Sequence, residues 1–234
     1  MNQIITVDNL NQTELPEQGI VLFDKPKGKS SFYAVALVRG KLRNQAGRKI
    51  KVGHTGTLDP IATGLLILLT GKMTKQADTF LKKDKIYIAE ATLGATSNTY
   101  DGEGEITVTS PPTPLQLERG DVERACQSFV GKISQTPPIF SAIKVDGKRA
   151  YDLARKGEDV KLKPRDVEIF SLEIEEYNYP KLKFRVHVSS GTYIRSLIND
   201  IGQNLGCGAY MSELRRVKIG EYEINTKFEY PDQS

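Results

Sequence analysis

The sequence predicts a mixed α/β (α+β) fold, and three stretches predict it: an unbroken apolar run at 64–69, an alternating run at 182–188 and a helical repeat at 194–205. Gly64-Leu65-Leu66-Ile67-Leu68-Leu69 has the pattern of a strand buried on both faces. Leu182, Phe184, Val186 and Val188 alternate with Lys183, Arg185 and His187, as in a strand with one buried face. Ile194, Leu197, Ile198, Ile201 and Leu205 recur at helical spacing, and Gly206 is placed to end the helix.

The other elements follow in order. Residues 19–23 form a short β-rich run that ends in the turn-like Asp24-Lys25-Pro26-Lys27-Gly28. Ser30 or Ser31 caps a helix running to about 42, with Gly40 weakening its last turn. A basic loop leads to a glycine-rich turn at 53–60, and residues 72–81 read as a helix. Residues 86–93 read as a strand leading toward Asp101-Gly102, a hairpin-like signal. Pro111, Pro112 and Pro114 precede a helix from about 115 to 129, and Gln135-Thr136-Pro137-Pro138 opens a polar, basic excursion lasting to Pro164. There is no internal repeat and no low-complexity linker, so nothing forces a domain boundary.

A chain of 234 residues with 38% apolar and 26% charged residues is long enough for a sizeable core. No stretch approaches the length of a bilayer span and the start lacks a signal pattern, so the cytoplasm is the expected compartment. Cys126 and Cys207 read as plain thiols, and a zinc site using His54 and His187 would need carboxylates for most of its ligands. Metal catalysis is not expected.

The net charge of +4 is mild but unevenly spread. From 19 to 51, Lys25, Lys27, Lys29, Arg39, Lys41, Arg43, Arg48, Lys49 and Lys51 face the single acid Asp24. A second cluster, Lys144, Lys148, Arg149, Arg155, Lys156, Lys161, Lys163 and Arg165, is diluted by only four acids, whereas acids gather at 101–123. Clustered Lys and Arg fit a polyanion partner, although a charge run alone also fits a solvated face.

The candidate acid is Asp59, in Gly53-His54-Thr55-Gly56-Thr57-Leu58-Asp59-Pro60. Glycines free the backbone for a tight turn, Pro60 pushes Asp59 toward an extended conformation, and the buried run that follows anchors the turn. Asp before Pro is also a common turn initiator, so local chemistry alone leaves both readings open. Tyr193 and Arg195 sit at a strand-to-helix junction, off the apolar stripe, where both can face a cleft. Gly28-Lys29-Ser30 suggests a phosphate loop, but the first glycine such a loop needs would fall at Phe23, which rejects a Walker-type nucleotide site.

Together these blocks resemble the TruB family of tRNA pseudouridine-55 synthases from Gly19 to about Tyr222. They run in order: Asp24-Lys25-Pro26-x-Gly28, the Asp59 turn, Asp84-Lys85-Ile86-Tyr87, Gln135-Thr136-Pro137-Pro138 through Ser141-Ala142-Ile143-Lys144, Gly191-Thr192-Tyr193-Ile194-Arg195, and Leu214-Arg215-Arg216. The resemblance implies the pseudouridine synthase fold, a mixed, mainly antiparallel central sheet flanked by helices, with a catalytic cleft where the Asp59 turn meets the Tyr193 junction. It also implies that Asp59 is the catalytic aspartate, that Tyr87 stacks on the target base, and that Tyr193 and Arg195 complete the pocket. By the same resemblance His54 would lie against flipped nucleotides, Leu214 would help wall the pocket, and Lys25 would join the substrate-binding set. Arg39, Arg43, Lys144, Lys148 and Arg149 would contact the RNA backbone, the last three in an RNA-gripping insertion at about 140–165. Tyr33 stands where many relatives carry an acid.

The implied reaction breaks the N1–C1′ bond of a uridine, rotates the base and joins C5 to C1′, with no redox change. It needs no cofactor and no metal, but one ionised carboxylate near the sugar, as nucleophile at C1′ or base at C2′. A nearby guanidinium keeps such a carboxylate ionised, and Arg195 is the candidate. Tyr193 is the candidate proton relay. The chain reaches only Ser234, which leaves no room for the C-terminal PUA domain common in the family, so one catalytic domain over 1–234 is expected. The expected protein is a monomer acting on the T arm of tRNA, with no membrane and no nucleotide cofactor. Two rival readings stay open: the guide-RNA-dependent branch of the superfamily, and a non-catalytic RNA chaperone.

Overall fold

The apolar run at 64–69 is the middle of a strand, Thr63–Thr70, and most of that strand is buried. The structure, a computed structural model, describes residues 3–109, 117–141, 144–145, 148–150, 153 and 162–225. Its first strands are β1 (Ile4–Ile5), β2 (Gly19–Lys25), β3 (Val52–His54), β4 (Thr63–Thr70), β5 (Lys85–Leu93), β6 (Ala95–Ser97) and β7 (Ile106–Val108). Then come β8 (Gly131–Gln135), β9 (Lys144–Val145), β10 (Lys148–Arg149), β11 (Arg165–Asn178), β12 (Lys181–Val188), β13 (Ala209–Ile219) and β14 (Tyr222–Glu223). The helices are α1 (Ser31–Ala46), α2 (Ala77–Leu81), α3 (Arg119–Gln127) and α4 (Ile194–Asn204), with 3-10 turns at Leu10–Gln12 and Gly71–Gln76. The chain packs as two compact units, Met1–Ile88 with Leu214–Ser234, and Ala89–Glu213.

In the first unit β4 is bonded along both edges. β2 runs antiparallel on one edge, while β13, parallel at Thr63 and Gly64, and β3, antiparallel at 68–70, share the other. Alternate side chains therefore enter two cores. Leu66 and Leu68 pack with Ala34, Val35, Val38 and Leu42 of α1, whereas Leu65, Ile67 and Leu69 pack with Phe80, Ile219 and Ile224. Burial on both faces is why the run shows no polar alternation.

Gly64 sits at φ 99°, and a Cβ there would lie 2.3 Å from the carbonyl oxygen of Arg216, so only glycine allows β4 to meet β13 at this point. Ser30 caps α1, its hydroxyl accepting from the Tyr33 amide at 3.2 Å. The helix continues through Gly40 to Ala46, longer than expected, because burying four apolar side chains outweighs the cost of about 1 kcal/mol for one glycine. The helix expected at 72–81 splits into the 3-10 turn and the short α2.

In the second unit β11 pairs antiparallel with both β12 and β8, and the expected alternation of β12 buries Leu182, Phe184, Val186 and Val188. β6 and β7 form an antiparallel hairpin whose loop carries Asp101 and Gly102. α3 opens on a capping box between Glu118 and Asp121; of the helix expected from about 115 to 129, residues 115 and 116 lie outside the described residues. α4 buries Ile194, Leu197, Ile198 and Ile201 as predicted. The sheet is mixed and mostly antiparallel, as expected, with β1–β2 and β4–β13 as parallel pairs.

β11 and β13 escape the sequence patterns for physical reasons. β11 changes register between Ile169 and Ser171 and again between Ile174 and Glu176, so its inward residues Val167, Ile169 and Leu172 fall out of phase. In β13 the buried Arg216 breaks the apolar code.

Leu66→Ala should lower the unfolding free energy by about 2–5 kcal/mol, because a fully buried side chain bonded into a two-sided strand leaves a cavity that cannot collapse. Urea denaturation measures it, and an unchanged midpoint would contradict the packing described.

Candidate active site

The Asp59 turn is fixed by its backbone. The Thr55 amide donates to the Ile67 carbonyl at 3.0 Å, and the Ala62 amide to the Asp59 carbonyl at 3.1 Å. The Pro60 carbonyl accepts from the Gly28 amide at 2.8 Å and from Lys25 Nζ at 3.3 Å. The Gly56 carbonyl accepts from Arg216 Nη2 at 3.1 Å. Ser31 closes the arrangement: its hydroxyl accepts from the Leu58 amide at 2.8 Å and donates to the Leu58 carbonyl at 3.0 Å. Leu58, Ile61 and Ala62 are buried while Asp59 between them is only half-buried. The carboxylate thus stands on a rigid, inward-anchored turn.

Lys25 is fully buried, and its ammonium donates to the carbonyls of Pro26 at 2.9 Å and Lys29 at 2.6 Å as well as to Pro60. This cation ties the loop after β2 to the turn that carries Asp59. Arg216, also buried, donates from Nε to the Leu65 carbonyl at 2.8 Å. Its neighbour Arg215 forms a two-pronged pair with Asp24 at 3.0 and 2.6 Å.

His54 ends β3 opposite Leu68, and its Nδ1 is buried without a hydrogen-bond partner. Burial, and secondly the Arg216 guanidinium, hold its pKa below the usual imidazole value, so the ring is neutral at pH 7. Burial and Arg216 also push Lys85 down to about 8, against an opposing pull from Asp84, while its ammonium donates to the Leu81 carbonyl at 2.9 Å and to that of Lys83. Tyr87 and Leu214 are each 7% exposed, and the Leu214 carbonyl accepts from Thr63 Oγ1 at 3.4 Å.

The second unit carries Tyr193 and Arg195. Tyr193 is the residue before α4, and Gln135 grips its backbone on both sides, Oε1 accepting from the amide at 2.9 Å and Nε2 donating to the carbonyl at 3.1 Å. Arg195 is buried rather than exposed on the helix. Its Nη1 meets Asp101 Oδ2 at 3.1 Å and the Thr99 carbonyl at 3.0 Å, and Nη2 meets the Phe140 carbonyl at 3.0 Å. Asp101, 2% exposed, also accepts from Thr99 Oγ1 at 2.6 Å and from the Glu103 amide at 3.1 Å, so this buried charge is fully hydrogen-bonded.

Of the basic residues expected on RNA, Arg39 and Arg43 are exposed on α1. Lys144 lies opposite Arg149 in the β9–β10 pair, beside Lys148. Much of the expected insertion, including 154–161, lies outside the described residues. Both cysteines are buried and unpaired, and burial pushes Cys126 up to about 12 and Cys207 upward as well, so both remain thiols at neutral pH. Among the described residues no group of three or more His, Cys, Asp or Glu side chains could hold a metal ion, and no helix is long and apolar enough to cross a membrane.

The TruB family pseudouridylate synthase N-terminal domain matches residues 43–194, and the tRNA pseudouridylate synthase B C-terminal domain matches 195–230. The chain belongs to the TruB family. TruB relatives named tRNA pseudouridine synthase B include one from Phocaeicola vulgatus, 49% identical over 89% of this chain and 88% of its own length. Another, from Chlamydia abortus, is 46% identical over 91% of this chain and 87% of its own. Among solved structures, a Cbf5-Nop10-Gar1 complex matches with a TM-score of 0.67 at 30% identity, covering 89% of this chain and 51% of that one. An H/ACA RNP bound to a substrate RNA containing 2′-deoxyuridine matches with a TM-score of 0.63 at 28% identity, covering 89% and 50%. The chain thus spans about half the length of those solved chains.

Four residues that hold candidate residues in place within one unit or the other were not singled out from sequence. Ser31 appeared only as an alternative to Ser30 as the cap, and Gln135 only as the start of a motif. Asp101 read as part of a turn, and Arg216 as part of a basic pair. Each acts through a contact distant in sequence, from 27 residues for Ser31 and Leu58 to 160 for Arg216 and Gly56.

His54 sets a pH dependence. Its unfolded pKa is near 6.5 and its folded pKa is lower, so its contribution is complete above 6.5 and is lost as pH falls, when the unfolded chain takes up a proton that the folded chain resists. Between about pH 7.5 and about pH 5.5 the urea midpoint of the wild type should fall more than that of His54→Gln. Equal falls would show that His54 is not held neutral by the fold.

Proposed function

We propose that this chain isomerises the uridine at position 55 in the T loop of tRNA to pseudouridine, with Asp59 as the catalytic carboxylate. The observation that carries the reading is the Asp59 turn, whose amides and carbonyls are committed to β4, the loop after β2, Arg216 and Ser31 while the acid itself is left half-buried. A carboxylate that must meet a ribose carbon needs such a fixed direction, because effective concentration depends on alignment. The names of relatives at 46–49% identity support tRNA as the substrate.

A uridine in a folded loop must be everted first, at a cost of a few kcal/mol that stacking and phosphate contacts offset. Asp59 then acts at C1′ or C2′ as the N1–C1′ bond breaks. Tyr87 supplies a flat face for the detached uracil while C5 turns toward C1′, and His54, Lys25 and Leu214 shape the surroundings. The departing C5 proton is assigned to a relay through Tyr193, with Arg195 as the fixed guanidinium. Exposed Arg39 and Arg43, with Lys144, Lys148 and Arg149, are assigned to phosphates. A single catalytic domain acting as a cytoplasmic monomer, without metal or cofactor, belongs to the same proposal.

The test is tritium release from a tRNA transcript labelled at uridine C5, using purified protein and no guide RNA. Release that disappears when the T-loop uridine is replaced is the expected result. Asp59→Asn should lower it by about 10³-fold or more with tRNA binding kept. No release from folded wild-type protein would favour a guide-dependent or binding-only role, and turnover by Asp59→Asn would remove Asp59 from the chemistry.

A further inference from the structure

One face of α1 does not serve the core. Ser31, Ala34, Val35, Val38 and Leu42 point inward, whereas Phe32, Ala36, Arg39 and Arg43 fall at helical spacing on a flank of the helix and all four are exposed. Phe32 is 61% exposed, an unusual position for a large apolar ring near a helix start. The guanidinium of Arg39 lies over that ring at 5.5 Å from its centroid, with only the small Ala36 between them on the stripe. Beside it, Lys29 lies over the ring of Tyr33 at 5.4 Å.

The flanking sequence carries one sign of charge. From Lys25 to Leu58 the sequence contains no Asp or Glu, so the exposed ring stands in a purely basic segment. A protein partner that matched an exposed phenylalanine alone would not require that exclusion of acids. A nucleic acid supplies both a π-face for the ring and phosphates for the cations. The platform is also fixed relative to the candidate acid, because Ser31, the residue before Phe32, is bonded twice to Leu58, the residue before Asp59.

We propose that Phe32, backed by Arg39, is a stacking platform for an unpaired nucleobase of the RNA substrate other than the target uridine, with Arg43 and Lys29 on adjoining phosphates. The inference rests on RNA being the substrate. It assigns Arg39 to base stacking as well as charge, and gives the first turn of α1 a part in positioning RNA before the Asp59 turn acts.

The test is binding of a fluorescent T-arm stem-loop by anisotropy, with tritium release measured on the same RNA. Phe32→Ala should raise Kd about tenfold, and Phe32→Tyr should restore it to within about twofold. The variants should then be titrated against a series of stem-loops, each with one unpaired base made abasic. At one position, distinct from the target, the penalty of Phe32→Ala should vanish, because the partner base is already gone. Equal Kd for wild type and Phe32→Ala, or the same penalty on every abasic RNA, would overturn the platform while wild-type tritium release left the isomerase reading standing. Binding with the predicted coupling but no tritium release would instead keep the platform and remove the isomerase reading; absence of RNA binding by the wild type would remove both.

Discussion

The reciprocal hydrogen bonding between Ser31 and Leu58 is the constraint on which the arrangement of the first unit depends. One buried hydroxyl satisfies both the amide and the carbonyl of the residue before Asp59, at 2.8 and 3.0 Å. It thereby joins the start of α1 to the glycine-rich turn. α1 is held against β4 by its apolar stripe, and β4 is held along both edges, so the turn inherits the rigidity of the most buried strand in the unit. A loop aspartate would otherwise sample several directions and lose much of its value as a catalyst.

Buried cations do the second part of the work. Lys25 and Arg216 are almost without solvent exposure, and each donates to backbone carbonyls of the turn, of the loop after β2 or of β4. Carbonyls left bare in such a place would cost about 1–3 kcal/mol each, so the cations allow an irregular turn to be buried beside a hydrophobic strand. Burial holds His54 neutral, and the Arg216 guanidinium adds to that effect. In the second unit the charge logic differs: Arg195 is balanced by Asp101, which two further donors support, so its guanidinium has a fixed position rather than a flexible one.

Legibility from sequence followed the range of the interactions. The cap at Ser30, the stripe of α4, the alternation of β12 and the apolar run of β4 are local codes, and each was readable. The turn at Asp59 was readable because glycine and proline constrain only their own neighbourhood. β11 was hidden by two register shifts, and β13 by a buried arginine whose partners are carbonyls rather than acids. Asp101 gave only a turn signal, since its role depends on Arg195, 94 residues away. The exposed ring of Phe32 was visible as a residue but not as a surface feature, because exposure is decided by which side of α1 meets β4.

The central claim is that Ser31 orients the acid through Leu58. The most direct measurement is the single-turnover rate of uridine conversion by Ser31→Ala at saturating tRNA, with tRNA affinity and circular dichroism recorded alongside. The account predicts a fall of about 10²-fold in rate with affinity and secondary structure retained, since the acid would lose its alignment and nothing else. A rate within about twofold of wild type would contradict it, and would mean that the turn holds Asp59 without the help of α1.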